Sequence, residues 1–349
     1  MTVRIGYVGL DHHHREPYLD TITQLDAEVV ATADPDGNTP ESVGADRLTE
    51  RPWYQSVEEL CNSEDLDVVW LTLSNQSTPV AITTAADAGI DVLSEKPGAR
   101  TAAELAPVAK HVTESGITVG FAYTWRAHPI ARDIRTRATN GFFGSIRGFD
   151  LRFIASRLAT RSTAHYLFDS TASRGGILQW LGVHWIDLLP WLLDDPIVRV
   201  NATMTAGEAS VDVEDGATLQ LELESGAIGT LSAGYYLREG RYDTAIEIYG
   251  ERGHSSWDPM GSTFGFDGET AIEYDSADWR STPHRTVTHE YEPTPGYGGR
   301  WGLEFFEEYL SARSTEGAAP ADMDAALRVL RVLDAAYESA DSGEWVAVQ

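Results

Sequence analysis

Cysteine occurs once in the 349 residues, at Cys61, so no intrachain disulfide can staple the chain. It sits near the end of an amphipathic stretch and suits a buried structural thiol better than a nucleophile, since free cysteine is usually buried. No apolar run approaches the roughly 20 residues a membrane helix needs. The opening residues, Met1 to Leu10, pass straight into a strand-like pattern without a leader's apolar core and small-residue cleavage site, so we expect a cytoplasmic chain. Low-complexity linkers and internal repeats are lacking. Lysine is scarce as well: Lys96 and Lys110 are the only two among 26 basic residues, against 54 acidic ones. The net charge of −28 repels phosphate backbones and anionic surfaces, which excludes nucleic-acid and membrane partners. Because the acidic residues are spread along the chain and form no tail, disorder is not implied. Acidic excess with so little lysine reads as adaptation to molar salt, where repulsion is screened over ~3 Å. In such a composition a retained lysine points to a specific job.

What is present is enough chain for two domains. Over residues 1–122, strand patterns at Val3–Val8, Glu28–Ala33, Val68–Leu73, Asp91–Leu93 and Thr118–Phe121 alternate with amphipathic stretches such as Pro79–Ala88 and Ala102–Thr113. That alternation predicts an α/β fold with a doubly wound parallel sheet, whose ligands bind at the carboxyl ends of the strands. From residue 123 the rhythm changes. A helix near Pro129–Ala138 leads through Asn140-Gly141 to a strand over Ser145–Ile154, and a long apolar helix follows at Leu178–Leu193. Strand patterns then recur at Val198–Thr205, Ala217–Leu223, Ile228–Tyr236, Ala245–Tyr249 and Glu269–Tyr274, before helices at Trp301–Ser311 and Ala321–Ser339. We expect residues 123–349 to form an α+β domain with a large, open, mostly antiparallel sheet and helices on one face.

The first strand ends at Gly9. A dinucleotide fingerprint would place glycines at 9, 11 and 14, and this chain has Gly9, Asp11 and His14. Asp34 ends the second strand, 25 residues after Gly9, where a carboxylate can hold both ribose hydroxyls and repel a 2′-phosphate. That favours NAD over NADP. The alternative is that Asp34-Pro35-Asp36-Gly37 is simply a turn, made of the usual turn residues. Asp11 is a carboxylate beside the expected pyrophosphate, a cost unless it points away or salt screens it. His12-His13-His14 invites a metal, but on a regular helix adjacent side chains diverge by ~100°, so no metal is expected and a histidine N–H or the helix amides would face the phosphate.

Several segments together resemble the glucose–fructose oxidoreductase/inositol dehydrogenase (Gfo/Idh/MocA) family. Ser94-Glu95-Lys96-Pro97 is similar to its Glu-Lys-Pro motif after the fifth strand. Gly175-Gly176-Ile177-Leu178-Gln179-Trp180-Leu181-Gly182-Val183-His184-Trp185-Ile186-Asp187 resembles its glycine-rich turn and Gly-x-His-x-x-Asp helix. Ile248 to Gly253 and Ala325 to Val346 resemble its large-sheet turn and closing helix and strand. The resemblance spans nearly the whole chain and implies an N-terminal Rossmann domain, with Lys96 and His184 lining a cleft between nicotinamide and substrate. The chemistry asks for such a pair independently: a cation to stabilise a developing alkoxide, and a group of near-neutral pKa to take the proton. Gly9, Leu10, Asp11, Asp34, Ser74, Asn75, Glu95 and Lys96 are then the expected cofactor contacts. Tyr123, Arg126, Tyr166, Trp180 and His184 are the expected substrate contacts, with Trp125, His128 and Arg174 nearby in sequence.

The chain departs from the family pattern at Trp180, where an aspartate is usual, and at Thr78, where histidine is frequent. On a regular helix Trp180 shares a face with His184, and Asp187 either orients that imidazole or packs structurally. The reading is a NAD-dependent dehydrogenase of a sugar, polyol or related cyclic alcohol, assembling as a homodimer or homotetramer through the open sheet. The alternatives are a catalytically silent ligand-binding or regulatory protein, and a lyase or epimerase that uses bound NAD transiently.

Overall fold

The computed structural model describes residues 2–158, 165–205, 211–261, 269–290, 292–315 and 317–349. In chain order its main elements are β1 (Val3–Val8), α1 (Arg15–Ile22), β2 (Ala27–Ala33), β3 (Trp53–Tyr54), α2 (Val57–Ser63), β4 (Val68–Leu71), α3 (Thr78–Asp87), β5 (Asp91–Ser94), α4 (Ala102–Ser115) and β6 (Val119–Phe121). Then follow α5 (Pro129–Thr139), β7 (Ile146–Ser156), α6 (Ser170–Ser173), α7 (Val183–Leu193), β8 (Ile197–Thr205), β9 (Gly216–Leu223), β10 (Ile228–Leu237) and β11 (Asp243–Gly250). The last are β12 (Gly253–Trp257), β13 (Glu269–Ser276), β14 (His284–Glu290), α8 (Gly299–Thr315), α9 (Met323–Ser342) and β15 (Val346–Ala347). They sort into two compact units, residues 1–124 with 294–327, and residues 125–293 with 328–349.

In the first unit the described strands form a parallel sheet in the order β3-β2-β1-β4-β5-β6. The strands are short and buried on both faces, as the apolar runs require. The order reverses between β1 and β4, the switch point beside which α/β sheets bind ligands. Local signals set the helices. Ser56 accepts the Glu59 N–H to cap α2, Thr101 accepts the Glu104 N–H to cap α4, and Gly116, at φ 74°, ends α4 in the left-handed conformation.

Residues 294–327, which sequence rhythm groups with the second domain, pack with the first. The cause is the aromatic face of α8. Phe306 lies against Trp70 of β4 at 4.9 Å and Tyr18 of α1 at 5.8 Å between ring centroids. Tyr309 lies over Gly120 of β6, where a Cβ would come within 2.7 Å of the ring.

In the second unit nine described strands form one sheet in the order β14-β13-β12-β11-β7-β10-β9-β8-β15. Only the β7–β10 pair is parallel; the other pairs are antiparallel. Burial alternates along β7 and β9, the mark of a sheet covered on one face. The buried face carries Phe153, whose ring is 5.0 Å from Trp185 of α7, and the Trp185 indole N–H donates to the Arg152 carbonyl at 2.8 Å.

Candidate active site

The first unit gathers Gly9, Asp34, Thr72 and Lys96 at the carboxyl ends of β1, β2, β4 and β5. Gly9 has φ 91°, and a Cβ there would stand 2.6 Å from the Thr72 carbonyl oxygen, so only glycine makes this turn. Thr72 closes it from below, its hydroxyl donating to the carbonyls of Val8 and Gly9 at 3.0 and 2.6 Å. Leu10 is buried, and its N–H donates to Asp34 Oδ2 at 2.8 Å. Asp34 also accepts from the Asp36 N–H at 2.9 Å and from Asn38 Nδ2 at 3.2 Å. The carboxylate thus organises its own turn, one of the two readings the sequence left open, and it also anchors the glycine loop.

Asp11 is exposed, so its charge stays in water. The expectation that 12–14 begin a regular helix is overturned, because α1 starts only at Arg15 and the three histidines lie in the preceding turn. Their ring centroids are 3.9–5.1 Å apart, and their ligand nitrogens lie within 4.8 Å of one another. His12 Nδ1 accepts the His14 N–H at 3.1 Å, which puts the proton of a neutral His12 on Nε2. His14 Nδ1 lies 2.8 Å from Glu95 Oε1.

Lys96 follows β5 and is 6% exposed. Burial lowers its ammonium to about 8, against the opposing pull of Glu95. Glu95 was expected to touch the cofactor, but its carboxylate is committed to protein donors. Oε1 receives the Tyr18 hydroxyl at 2.5 Å besides His14, and Oε2 receives the Lys96 N–H at 3.1 Å. In the loop after β4, Ser74 bonds to the Ser77 hydroxyl at 3.1 Å, Asn75 is buried, and the Thr78 hydroxyl donates back to the Ser74 carbonyl at 2.9 Å. Thr78 therefore shapes the loop at the position where the family often has histidine. Tyr123 is buried just beyond β6.

In the second unit His184 is buried in the first turn of α7, its ring stacked beside Phe153 at 6.4 Å. Before it the helix opens into a π-turn over Leu178–Gly182. Trp180, on this wider turn, packs near Phe168 and Tyr235, at 5.7 and 6.1 Å. Tyr166 packs against the same apolar cluster. Arg126, expected to reach a substrate, forks onto Asp187: Nε to Oδ2 is 2.9 Å and Nη2 to Oδ1 is 2.5 Å. Asp187 thereby holds Arg126, and its two carboxylate oxygens serve that pair. His128 caps α5, accepting the Ile130 N–H at 3.2 Å, and lies 4.7 Å from Trp257. Arg174 pairs with Asp334 and lies over the Tyr337 ring, 4.5 Å from its centroid.

Sequence reasoning missed Glu214 and Gln179. Glu214 accepts the N–H groups of Gly176 and Leu178 at 2.7 and 3.0 Å and the Tyr337 hydroxyl at 3.1 Å. Burial raises its carboxyl, with these donors opposing. A Cβ on Gly175 would meet the Tyr337 hydroxyl at 1.8 Å, and one on Gly176 the Glu214 carbonyl at 2.1 Å, which explains the glycine pair. Glu214 lies in the acidic run Val213-Glu214-Asp215, which carries no pattern distinguishing it from a solvated face. Gln179 is a buried amide on the π-turn, legible only once burial is known.

The parallel sheet, the glycine turn and the buried acid ending β2 define a Rossmann-type dinucleotide-binding protein. A dinucleotide fits the residues present: the Gly9 turn follows β1 at the switch point of the sheet, and the Asp11 charge lies outside the core. Residues 3–123 match the oxidoreductase family with an NAD-binding Rossmann fold, and residues 131–256 match the GFO/IDH/MocA C-terminal domain. The chain belongs to the Gfo/Idh/MocA oxidoreductases, a family with an NAD-binding Rossmann fold. It is 29% identical over 305 residues to D-xylose 1-dehydrogenase (NADP(+)) 2 of Haloferax volcanii, covering 86% of each chain. It is 25% identical to 1,5-anhydro-D-fructose reductase of Ensifer adhaerens, covering 90% of this chain and 98% of the relative. Its fold matches levoglucosan dehydrogenase in complex with NADH and levoglucosan, with TM-score 0.84, 21% identity and 99% of both chains covered.

Proposed function

We propose that this enzyme oxidises a hydroxyl of a sugar, polyol or related cyclic alcohol, with NAD preferred over NADP. When bound, the nicotinamide supplies the hydride acceptor. Gly9 and the turn after it would hold the pyrophosphate, and Asp34 the adenosine ribose, aided by Ser74 and Asn75. Lys96 stabilises negative charge on the substrate oxygen, and His184 takes the hydroxyl proton. The substrate class is drawn from relatives named for xylose, anhydrofructose and inositol. The preference for NAD rests on Asp34 and runs against the relative named for NADP(+). We place the enzyme in the cytoplasm and expect a dimer or tetramer through the face of the large sheet that bears the exposed Ile228, Tyr236 and Tyr249.

The observation that carries the proposal is Lys96: one of two lysines, buried at the end of β5, with its ammonium brought to about 8. The test is turnover in molar KCl across a panel of sugars and polyols. Lys96→Ala lowers kcat by roughly 100-fold or more, the scale of a lost charge-stabilising group. His184→Ala also lowers kcat and removes the limb of the pH profile due to the base. Full turnover by Lys96→Ala would end this proposal.

A further inference from the structure

Where a dinucleotide fingerprint has its third glycine, this chain has His14, and that side chain is built into the support of Lys96. His14 Nδ1 and the Tyr18 hydroxyl meet the same oxygen of Glu95, at 2.8 and 2.5 Å. The other oxygen receives the Lys96 N–H at 3.1 Å. Glu95 and Lys96 are both buried, and a carboxylate so far from water stays ionised only while its donors stay. The imidazole is held by rings, with Tyr297 at 4.5 Å and Tyr18 at 5.9 Å between centroids.

We infer that His14 is a positioning residue for Lys96: through Glu95 it ties the nucleotide-binding turn to the lysine. For its catalytic meaning this rests on the role proposed for Lys96. A glycine at position 14 would leave only packing there; the imidazole makes the position electrostatic. Burial works to raise the Glu95 carboxyl, but the hydrogen bond and charge of His14, with His12 and Lys96 behind them, hold it well below the usual range. The ionised carboxylate then opposes the effect of burial on Lys96. The groups acting on or sensing Glu95 are His12 and His14 from the turn, Tyr18 from α1, Tyr7 from β1, and Lys96 itself. Of these, His14 provides the largest stabilisation. Without it the Glu95 carboxylate loses one of its three donors and its fixed place beside Lys96, so the lysine keeps less of its counter-charge and titrates lower.

Two lysines in the whole chain make this measurable by NMR. Full-length protein carrying 13Cε-lysine gives two titrating signals, assigned with Lys110→Arg. In the wild type Lys96 has its midpoint at about 8. His14→Ala moves that midpoint down by roughly half a unit or more and leaves Lys110 in place. His14→Asn, whose amide N–H stands where the ring Nδ1–H stood, restores most of the shift. His14→Phe keeps the ring contacts but has no N–H, and behaves like His14→Ala. A purely structural role would reverse that order, with Phe restoring and Asn failing. Either this reversed order or an unmoved Lys96 midpoint in the folded Ala and Phe variants overturns the inference. The readout uses neither cofactor nor substrate. If Lys96→Ala keeps full turnover, the catalytic role falls while the clasp stands; if the midpoint does not move but Lys96→Ala is inactive, only the clasp falls.

Discussion

Arg126 and Asp187 meet as fork on fork, two near-parallel hydrogen bonds in a site where both residues are buried. They lie 61 positions apart in sequence, and Asp187 is three residues beyond His184 on α7. The pair therefore fixes the roll of the helix that carries the proposed base.

Removing one partner leaves the other charge buried and unmatched, so Asp187→Ala costs about 3–5 kcal/mol in denaturant unfolding. Arg126→Lys keeps the charge but loses the fork, and falls between that variant and the wild type. Replacing both with apolar residues of similar volume recovers most of the loss. If the single and double variants were equally unstable, the pair would not be the source of the effect.

Glu214 gives a second test, of the turn before α7. Glu214→Ala strands the N–H groups of Gly176 and Leu178, at about 1–3 kcal/mol each if both stay buried. Glu214→Gln keeps one acceptor oxygen and loses less. Turnover should fall in the same order under conditions where all three proteins are folded, because the turn sets the start of the helix bearing His184. Unfolding by urea and a kcat series measure the two effects separately.

His128 sets a pH dependence. Burial, assisted by the charge of His289, lowers its imidazole from 6.5 to about 3. The folded state thus binds this proton less readily than the unfolded chain, so the neutral ring's contribution is complete above 6.5 and is lost as pH falls toward 3. The loss approaches about 1.4 kcal/mol per pH unit within that window. His128→Asn can keep the cap to Ile130 without the titration. Its unfolding free energy should fall less steeply between pH 6.5 and 5 than that of the wild type; equal slopes would remove His128 from the account.

Much of the fold is legible in the sequence because its strands are short apolar runs bounded by turns, and β1 is read residue for residue at Val3–Val8. β14 escapes, being an edge strand of largely exposed polar residues with no alternation to see. The attachment of α8 to the first unit escapes too, since an amphipathic helix does not say which core it covers. At the site, Gly9, Asp34 and Lys96 stand out by position relative to a strand end. The roles of Arg126, Glu95 and Glu214 depend on partners 36 to 123 residues away, which local pattern cannot supply. The π-turn that carries Trp180 escapes as well, since it has no sequence signature of its own in an apolar helix.

The central claim is that the turn from Gly9 to His14 still binds a dinucleotide despite Asp11 and His14. Titrating the folded protein with NADH and NADPH in molar KCl, by energy transfer from tryptophan to the nicotinamide, tests it most directly. The account predicts micromolar binding of NADH, weaker binding of NADPH, and a loss of that discrimination in Asp34→Ala, with each tenfold change in affinity equal to about 1.4 kcal/mol. No binding of either nucleotide by folded protein would contradict it.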